Sequence, residues 1–431
     1  MTRIPLSLKL QKRLKHGLLR NVPVFFNTRL LGFLLVILTG WAVFICSPRQ
    51  AVTQEVSFQE IGASAAILME FSRGEIIYSH NEDKPLPPAS LTKIMTLLLA
   101  YEALEEGRVN WDDPVTISEK AWGTGGSQMY LEVNQVVPFG ELITGIATIS
   151  ANDACVAVAE YLSGSEDVFV TEMNRKAQEL GLSSTLFQNT SGLPHEAHYS
   201  SALDMARIAH YYIDRFPEAL ALHAQEHYTF NNIPQNNRNP LLGRFPGADG
   251  LKTGHTSESG YCLIATAEQN GMRFITVVLD SESRAARLRD NEILLNYAFR
   301  NYTLYPVFAP GEEVAVVEIK GGITRTMELQ VEEAVEVVIP FHRQEDLIIE
   351  LNYLENLSAP FTKHEVMGNA EIYLDDVLLA KTPLITADDV EKAGFFVLRW
   401  RDLTDFAVHA WDRFTEWLWG FFHSSPKQNL A

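Results

Sequence analysis

The stretch "PPASLTKIMT", residues 87–96, sets a serine three positions before a lysine where an apolar helical pattern begins. One helical turn apart, Ser90 and Lys93 emerge on one face and can meet at hydrogen-bond distance. A serine hydroxyl is a weak nucleophile until a base takes its proton, and a lysine amine kept neutral by a dry, partly cationic pocket can be that base. Alone, Ser-x-x-Lys is a weak pattern that better describes a helix-capping serine followed by a surface lysine. Two further triplets give it company. Ser150-Ala151-Asn152, in "ISANDA", offers a hydroxyl and an amide spaced to point the same way from a tight turn. Lys252-Thr253-Gly254, in "GLKTGHTSESGYCLI", lies on a predicted strand.

The elements that must hold these groups are legible in the pattern. From Ser64, "SAAILMEFSRGEIIYSHNED" predicts two strands joined by a turn at Ser72-Arg73-Gly74. A long helix follows, with Ile94, Leu97, Leu98, Tyr101 and Leu104 at helical spacing and Gly107 as its stop. Helical patterns run through "ELITGIATISANDACVAVAEYL", "EDVFVTEMNRKAQELG" and "SALDMARIAHYYIDRFP". Strands return as "GLKTGHT", "GYCLIATAEQ" and "RFITVVLD", the last two joined across Asn270-Gly271, a strong hairpin signal. A helix around "RLRDNEILLNYAF" closes this unit near residue 300. Beyond it, short alternating runs with turns at Pro310-Gly311 and Gly321-Gly322 predict a small β-domain over 305–390, whose 17 acids against five bases belong on solvated faces.

Ser-x-x-Lys, Ser-x-Asn and Lys-Thr-Gly in this order, on a helix, a turn and a strand, form the set shared by penicillin-binding proteins and the serine β-lactamases. Within that group the sequence resembles the D-alanyl-D-alanine carboxypeptidases, the low-molecular-mass penicillin-binding proteins, over about residues 60–422. The likeness extends to "GGSQMYLE", "SANDACVAVAEY", "NTSGL", "HYSSALDMA" and "NNRNPLL". Alanine at the middle of Ser-Ala-Asn departs from the glycine or aspartate common in relatives, at a side chain that need not face substrate. The resemblance implies an α+β fold, an antiparallel sheet flanked by helices, then an all-β domain and a C-terminal amphipathic helix. It also implies roles. Ser90 attacks the carbonyl between two D-alanines, Lys93 accepts its proton, and Ser150 helps carry that proton to the departing amine. Asn152 binds the substrate amide, and Lys252 with Thr253 holds the free carboxylate of the last D-alanine. Gly254 allows close approach to the substrate. The backbone N–H groups of Ser90 and His255 form the oxyanion hole, each donor worth about 3–4 kcal/mol. The implied partners are peptidoglycan stem peptides ending in D-Ala-D-Ala, with β-lactam antibiotics as inhibitors, and no cofactor or metal is expected.

Three other patterns carry less. "EILLN", Glu292–Asn296, matches the Glu-x-x-Leu-Asn pattern with which class A β-lactamases deacylate, but it lies on the wrong side of Lys-Thr-Gly. "HEAH" at 195–198 lacks the spacing of a zinc helix and reads as a loop. "GTGGS" at 123–127 has no following lysine to make a phosphate loop and reads as cleft lining. A β-lactamase or an endopeptidase on the same site stays open as an alternative, as does a catalytically inactive wall-binding protein. Turnover of penicillin against turnover of a D-Ala-D-Ala peptide separates the first. Failure to be labelled by penicillin marks the last.

The 431 residues have room for two or three domains. Residues 1–50 hold eight Lys or Arg and no acid, leaving 27 bases against 54 acids downstream. A body so anionic repels phosphate backbones, which argues against nucleic acid as a partner. The basic flank runs into "LLGFLLVILTGWAVFIC", residues 30–46, uncharged throughout, so residues 1–55 read as an export signal or an uncleaved signal anchor. The catalytic domain is expected over 56–304. Cys46, Cys155 and Cys262 suggest no disulfide framework, and Cys155 and Cys262, within apolar runs, are expected to be free and buried. In the last segment, 391–431, Leu403, Phe406, Ala407, Ala410, Trp411, Phe414, Trp417, Leu418 and Phe421 form one wide apolar stripe interrupted by charges. Four tryptophans there favour a helix lying on a membrane surface over one spanning it or docked on a domain. The expected location is the periplasmic face of the inner membrane.

Overall fold

Every residue of the strand Ala65–Glu70 (β1) is buried, so it lies inside a sheet covered on both faces. A computed structural model of the chain describes residues 2–5, 61–354 and 356–423. The apolar run at 30–46, with Cys46, lies outside them. The chain divides into two compact units at Thr303–Leu304.

In the first unit β1 pairs with Glu75–His80 (β2) on one side and with Met272–Ser281 (β5) on the other. Gly260–Gln269 (β4) and Ala248–Thr256 (β3) complete a five-stranded sheet in the order β2-β1-β5-β4-β3, antiparallel throughout. Asn270 and Gly271 both take positive φ, +53° and +75°, as a two-residue hairpin turn requires. Alternation sorts the faces of β5. Ile275, Val277 and Leu279 join the helical core, whereas Thr276 bonds Asn291 at 2.7 Å and Phe274 meets Phe299 edge-on, both on the helix Arg284–Asn301 (α6).

The helical core is built around Lys93–Glu105 (α1), buried without a break from Lys93 to Ala103. The spacing of Ile94, Leu97 and Leu98 reads as one apolar stripe, but Met95, Leu99, Ala100 and Ala103 occupy the opposite side, so the helix is a central one. Around it lie Phe139–Ile149 (α2), Asn152–Ser163 (α3), Glu166–Glu179 (α4) and Ala202–Arg215 (α5). The pattern from 141 to 162 continues through two helices rather than one. Ser150, at φ +66° and ψ +36°, is left-handed, and Ala151 is extended, so the chain turns sharply between α2 and α3. Two short ribbons, Pro114–Thr116 with Val136–Pro138 and His227–Phe230 with Ile233–Asn236, have no counterpart in the sequence reading, being too short to show a period.

The second unit is a sheet domain. Its seven strands run in the order Thr2–Pro5, Ile348–Tyr353, Val366–Leu374, Val377–Thr386, Thr326–Gln330, Glu313–Lys320, Leu357–Ser358. Alternation places most of the acids outside, Glu350 being a buried exception. In Thr326–Gln330, Met327 and Leu329 are buried while Glu328 is exposed, and the acidic face stays hydrated. The helix Phe395–His423 (α7) follows, about 44 Å long at about 1.5 Å per residue. Arg401 near its start donates to the backbone oxygens of Gly322 and Ile323.

Candidate active site

Ser90 sits in a single 3₁₀ turn, Ala89–Thr92, that feeds directly into α1. Pro87-Pro88 precede it, and Ala89 holds φ +48°, a conformation that costs an L-residue about 1–3 kcal/mol unless its surroundings impose it. They do. A Cβ on Gly192, itself at φ +81°, would lie 1.8 Å from the Ala89 oxygen, so the loop Asn189–Leu193 presses its backbone against that peptide. The loop is held in turn. The Asn189 Oδ1 accepts from Gly192 N at 2.7 Å and Leu193 N at 3.1 Å, Thr96 donates to the Thr190 oxygen at 2.7 Å, and Glu166 accepts from the Thr190 hydroxyl at 2.9 Å. "NTSGL" is thereby a brace for the Ser90 turn.

Lys93 Nζ is 2.8 Å from Ser90 Oγ and also donates to the Ser191 oxygen of that brace. The side chain is fully buried, and burial, opposed by Cys155 and Asp153 and reinforced by Arg238, draws its pKa down to about 8. A neutral amine can therefore exist beside the hydroxyl near physiological pH. Beneath the turn, Thr92 Oγ1 is 2.8 Å from His198 Nε2, and His198 Nδ1 accepts from Gln188 N–H at 3.2 Å. That bond fixes the proton on Nε2, which donates to Thr92. Burial, with His195 and Lys93 adding to it, lowers His198 to about 4, so it stays neutral. The "HEAH" residues lie in a loop, as their spacing suggests.

Ser150 at the α2–α3 break is 3% exposed and lines the same cleft as Ser90. Asn152 opens α3. Its Nδ2 donates to the Gly125 oxygen at 2.7 Å, which leaves the buried Oδ1 without a partner. An orphaned buried acceptor is costly, and a substrate N–H relieves it. The loop 125–131 that meets Asn152 is fixed by Asp153, which accepts from the backbone N–H of Met129 at 3.0 Å and Leu131 at 3.3 Å. Ser127 of "GTGGS" lines the cleft.

On β3 the sequence-derived residues fall beside this group. Lys252 is buried, and burial, with Lys93 and Arg238 nearby, pushes its pKa well below the usual lysine value. Thr253, Gly254 and His255 line the cleft. Gly254 needs no side chain for a reason that the pattern alone did not reveal. A Cβ there would lie 2.9 Å from the Pro88 oxygen and 3.3 Å from Ser90 N, so the strand presses on the Ser90 turn. His255 stacks on Tyr261 with ring centroids 4.0 Å apart.

The cleft holds about 730 Å³. Three arginines line it that sequence reasoning did not assign: Arg238, hydrogen-bonded to Ser127 Oγ, and Arg284 and Arg287 from the first turn of α6. Their one-turn spacing was a usable signal for a shared face, and Arg238 lies within "NNRNPLL". A cationic cleft in an anionic protein draws in an anion. Glu292 of "EILLN" lies elsewhere, paired with Arg244 at 2.8 Å. Cys155 and Cys262 are free and buried, and burial raises both thiols to about 12.

A hydroxyl, a depressed amine and an unmated amide oxygen gathered beside cations suit acyl transfer through serine to a substrate with an anionic end. On a helix-flanked antiparallel sheet, that is the class of the penicillin-binding serine enzymes. Residues 50–283 match the family described as D-alanyl-D-alanine carboxypeptidase, and the chain belongs to that family. Residues 302–392 match the C-terminal domain of penicillin-binding protein 5. Among curated relatives, D-alanyl-D-alanine carboxypeptidase DacF of Bacillus subtilis is 38% identical over 80% of this chain and 90% of its own. The enzyme DacC of Escherichia coli is 35% identical over 86% and 94% respectively. Penicillin-binding protein 5 from Haemophilus influenzae superposes with a TM-score of 0.65 at 35% identity, over 78% of this chain and 99% of that one.

Proposed function

We propose that Ser90 and its neighbours remove the terminal D-alanine from cell-wall stem peptides through an acyl-enzyme. The chain is a serine-type D-alanyl-D-alanine carboxypeptidase, a hydrolase of the penicillin-binding kind. The observation that supports these roles most directly is the 2.8 Å contact between Ser90 Oγ and a buried, pKa-depressed Lys93. Neutral Lys93 takes the Ser90 proton as Oγ attacks the carbonyl carbon. The tetrahedral oxyanion forms against the N–H groups of Ser90 and His255. Ser150 relays the proton to the amine of the departing D-alanine, and the C–N bond breaks. Water then attacks the Ser90 ester, Lys93 takes a proton from it, and Ser90 leaves protonated. β-Lactams acylate Ser90 by the same first step, and a solved penicillin-binding protein D2 of Listeria monocytogenes, 33% identical, carries ampicillin. Hydrolysis of a D-Ala-D-Ala peptide at many turnovers, with penicillin held as a stable adduct, tests this reading. Rapid penicillin turnover without peptidase activity refutes it.

Lys252 and Thr253 read the free carboxylate of the leaving residue. A depressed amine regains its proton when a carboxylate arrives, and the pair forms in a dry site. Amidating the terminal D-alanine should cost on the order of a hundredfold in kcat/KM, and Lys252→Ala should shrink the gap between acid and amide substrates. Equal turnover of both by the unmodified enzyme sinks the assignment.

Residues 1–55 serve export and α7 fastens the enzyme to the outer face of the inner membrane. Among the described residues no helix is long and apolar enough to cross a membrane. Along α7, Phe406, Trp411, Trp417 and Trp419 are all more than 60% exposed, which suits a lipid interface better than a docked terminal helix. Five bases and five acids from 391 to 431 cancel, so aromatic burial rather than lipid charge must supply the attraction. Deleting residues 394–431 from the leader-processed protein should release it from membranes and spare turnover of a small soluble peptide. Sedimentation of that truncated form with membranes rules the anchor out.

A further inference from the structure

β3 is the outer strand of its sheet, so the backbone oxygens at its start face no further strand. Two side chains take them. Asn239 Nδ2 donates to the Gly250 oxygen at 2.8 Å, and His223 Nδ1 lies 2.9 Å from the Leu251 oxygen. A carbonyl oxygen only accepts, so Nδ1 carries the ring's proton. Nε2 is then the acceptor for the Tyr212 hydroxyl, 3.2 Å away on α5. Burial, opposed by the Leu251 bond and reinforced by Lys252, holds the His223 pKa down at about 3, so the ring is neutral and this tautomer satisfies both partners. Both side chains are 1% exposed, and neither lines the cleft.

Lys252 follows Leu251 directly. Among the described residues its amine has one hydrogen bond, to the Thr253 oxygen at 3.3 Å, and no carboxylate pairs with it. Its place therefore depends on the backbone from which it rises. The turn Leu220–His223 that carries the imidazole is tied to other parts of the site as well. Thr148, two residues before Ser150, donates to the Leu222 oxygen at 3.1 Å, and Asn237, next to Arg238, donates to the His223 oxygen at 3.0 Å. One turn of chain thus holds the start of β3, the end of α2 and the loop of Arg238 in register. On the reading that Lys252 and Thr253 hold the substrate carboxylate, we infer that His223, with its tautomer set by Tyr212, is a positioning residue that fixes the height of that pair against Ser90 and Ser150. Without the Nδ1 donor the Leu251 oxygen is buried and unmated, and the strand must move to find it a partner. A carboxylate clamp feels a displacement on the order of 1 Å.

Two substrates decide the matter, an acetylated L-Lys-D-Ala-D-Ala peptide and its C-terminal amide, compared as a ratio of kcat/KM within each variant, with active sites counted by penicillin labelling. His223→Leu removes the donor and should cut the acid-to-amide ratio about tenfold, the effect of one buried hydrogen bond. His223→Asn keeps an N–H near the Nδ1 position and should restore most of the ratio. Tyr212→Phe deletes one oxygen, the group that sets the tautomer, and should lower the ratio about threefold; it carries the test even where His223→Leu does not fold. A merely structural role would reduce the count of labelled sites, or both rates alike, and leave the ratio where it was. An unchanged ratio in Tyr212→Phe and in folded His223→Leu therefore overturns the positioning role, and so does a His223→Asn enzyme no more selective than His223→Leu. Equal turnover of acid and amide by the unmodified enzyme overturns instead the Lys252 reading on which the role rests.

Discussion

Ser90→Ala should abolish covalent labelling by a fluorescent penicillin and leave the folded protein in place. The substitution removes one hydroxyl from a half-buried position and one hydrogen bond from Lys93, a loss of about 1 kcal/mol at most in stability. Lys93 keeps its bond to the Ser191 oxygen, and the turn keeps the braces of Gly192 and Gly254, neither of which involves the hydroxyl. Chemistry is lost far out of proportion to that. Among the described residues no other hydroxyl lies within hydrogen-bond distance of the Lys93 amine, and Ser150, the nearest candidate by role, sits at a different turn. Intact-protein mass measurement should show one penicillin adduct on the parent and none on the variant, with thermal midpoints a few degrees apart at most. An adduct that persists, or one that maps to Ser150, transfers the nucleophile's role elsewhere.

The antiparallel sheet and the helices around it were legible because their signals are local. Asn270-Gly271 between two β-branched runs leaves little choice but a hairpin, and β4 and β5 follow from it. The helix of "ELITGIATISANDACVAVAEYL" shows the limit of that logic. Its apolar spacing survives across Ser150, yet the chain changes direction there, because a left-handed residue breaks the backbone without altering the pattern of side chains. The motif residues could be named from spacing and order, but their supports could not. Gly192 contacts Ala89 across about a hundred residues of sequence, and Gly254 touches Ser90 across more than a hundred and sixty, so each glycine's reason lies in a partner that no local window contains. Arg238 was missed for the same reason. It reaches the cleft from a loop after a short ribbon, where neither periodicity nor a chemical triplet announces it. The Ser90–Lys93 contact was the easy part, since the two meet within one turn of chain.

With Lys93 as the proposed base, the pH profile should follow its titration, and its replacement should be nearly as damaging as that of Ser90. Its pKa lies at about 8 because burial disfavours the ammonium, and the neutral form is the one that accepts a proton from Ser90. Penicillin acylation of the free enzyme should therefore rise with pH through about 8 and level off above it. Below that point the reactive fraction falls about tenfold per pH unit, so acylation at pH 6 should run at about a hundredth of its plateau. The same burial makes the position intolerant of a substitute that stays charged. Lys93→Arg keeps a cation too basic to lose its proton and should lose about as much as Lys93→Ala, on the order of a hundred- to ten-thousandfold in acylation rate. A nucleophile assisted merely by positive charge would behave otherwise, with arginine rescuing much of the rate and the profile flat between pH 6 and 9. Second-order acylation rates for the parent and the two variants across that range separate the two cases, and a flat profile with an active Lys93→Arg enzyme removes Lys93 from the role of base.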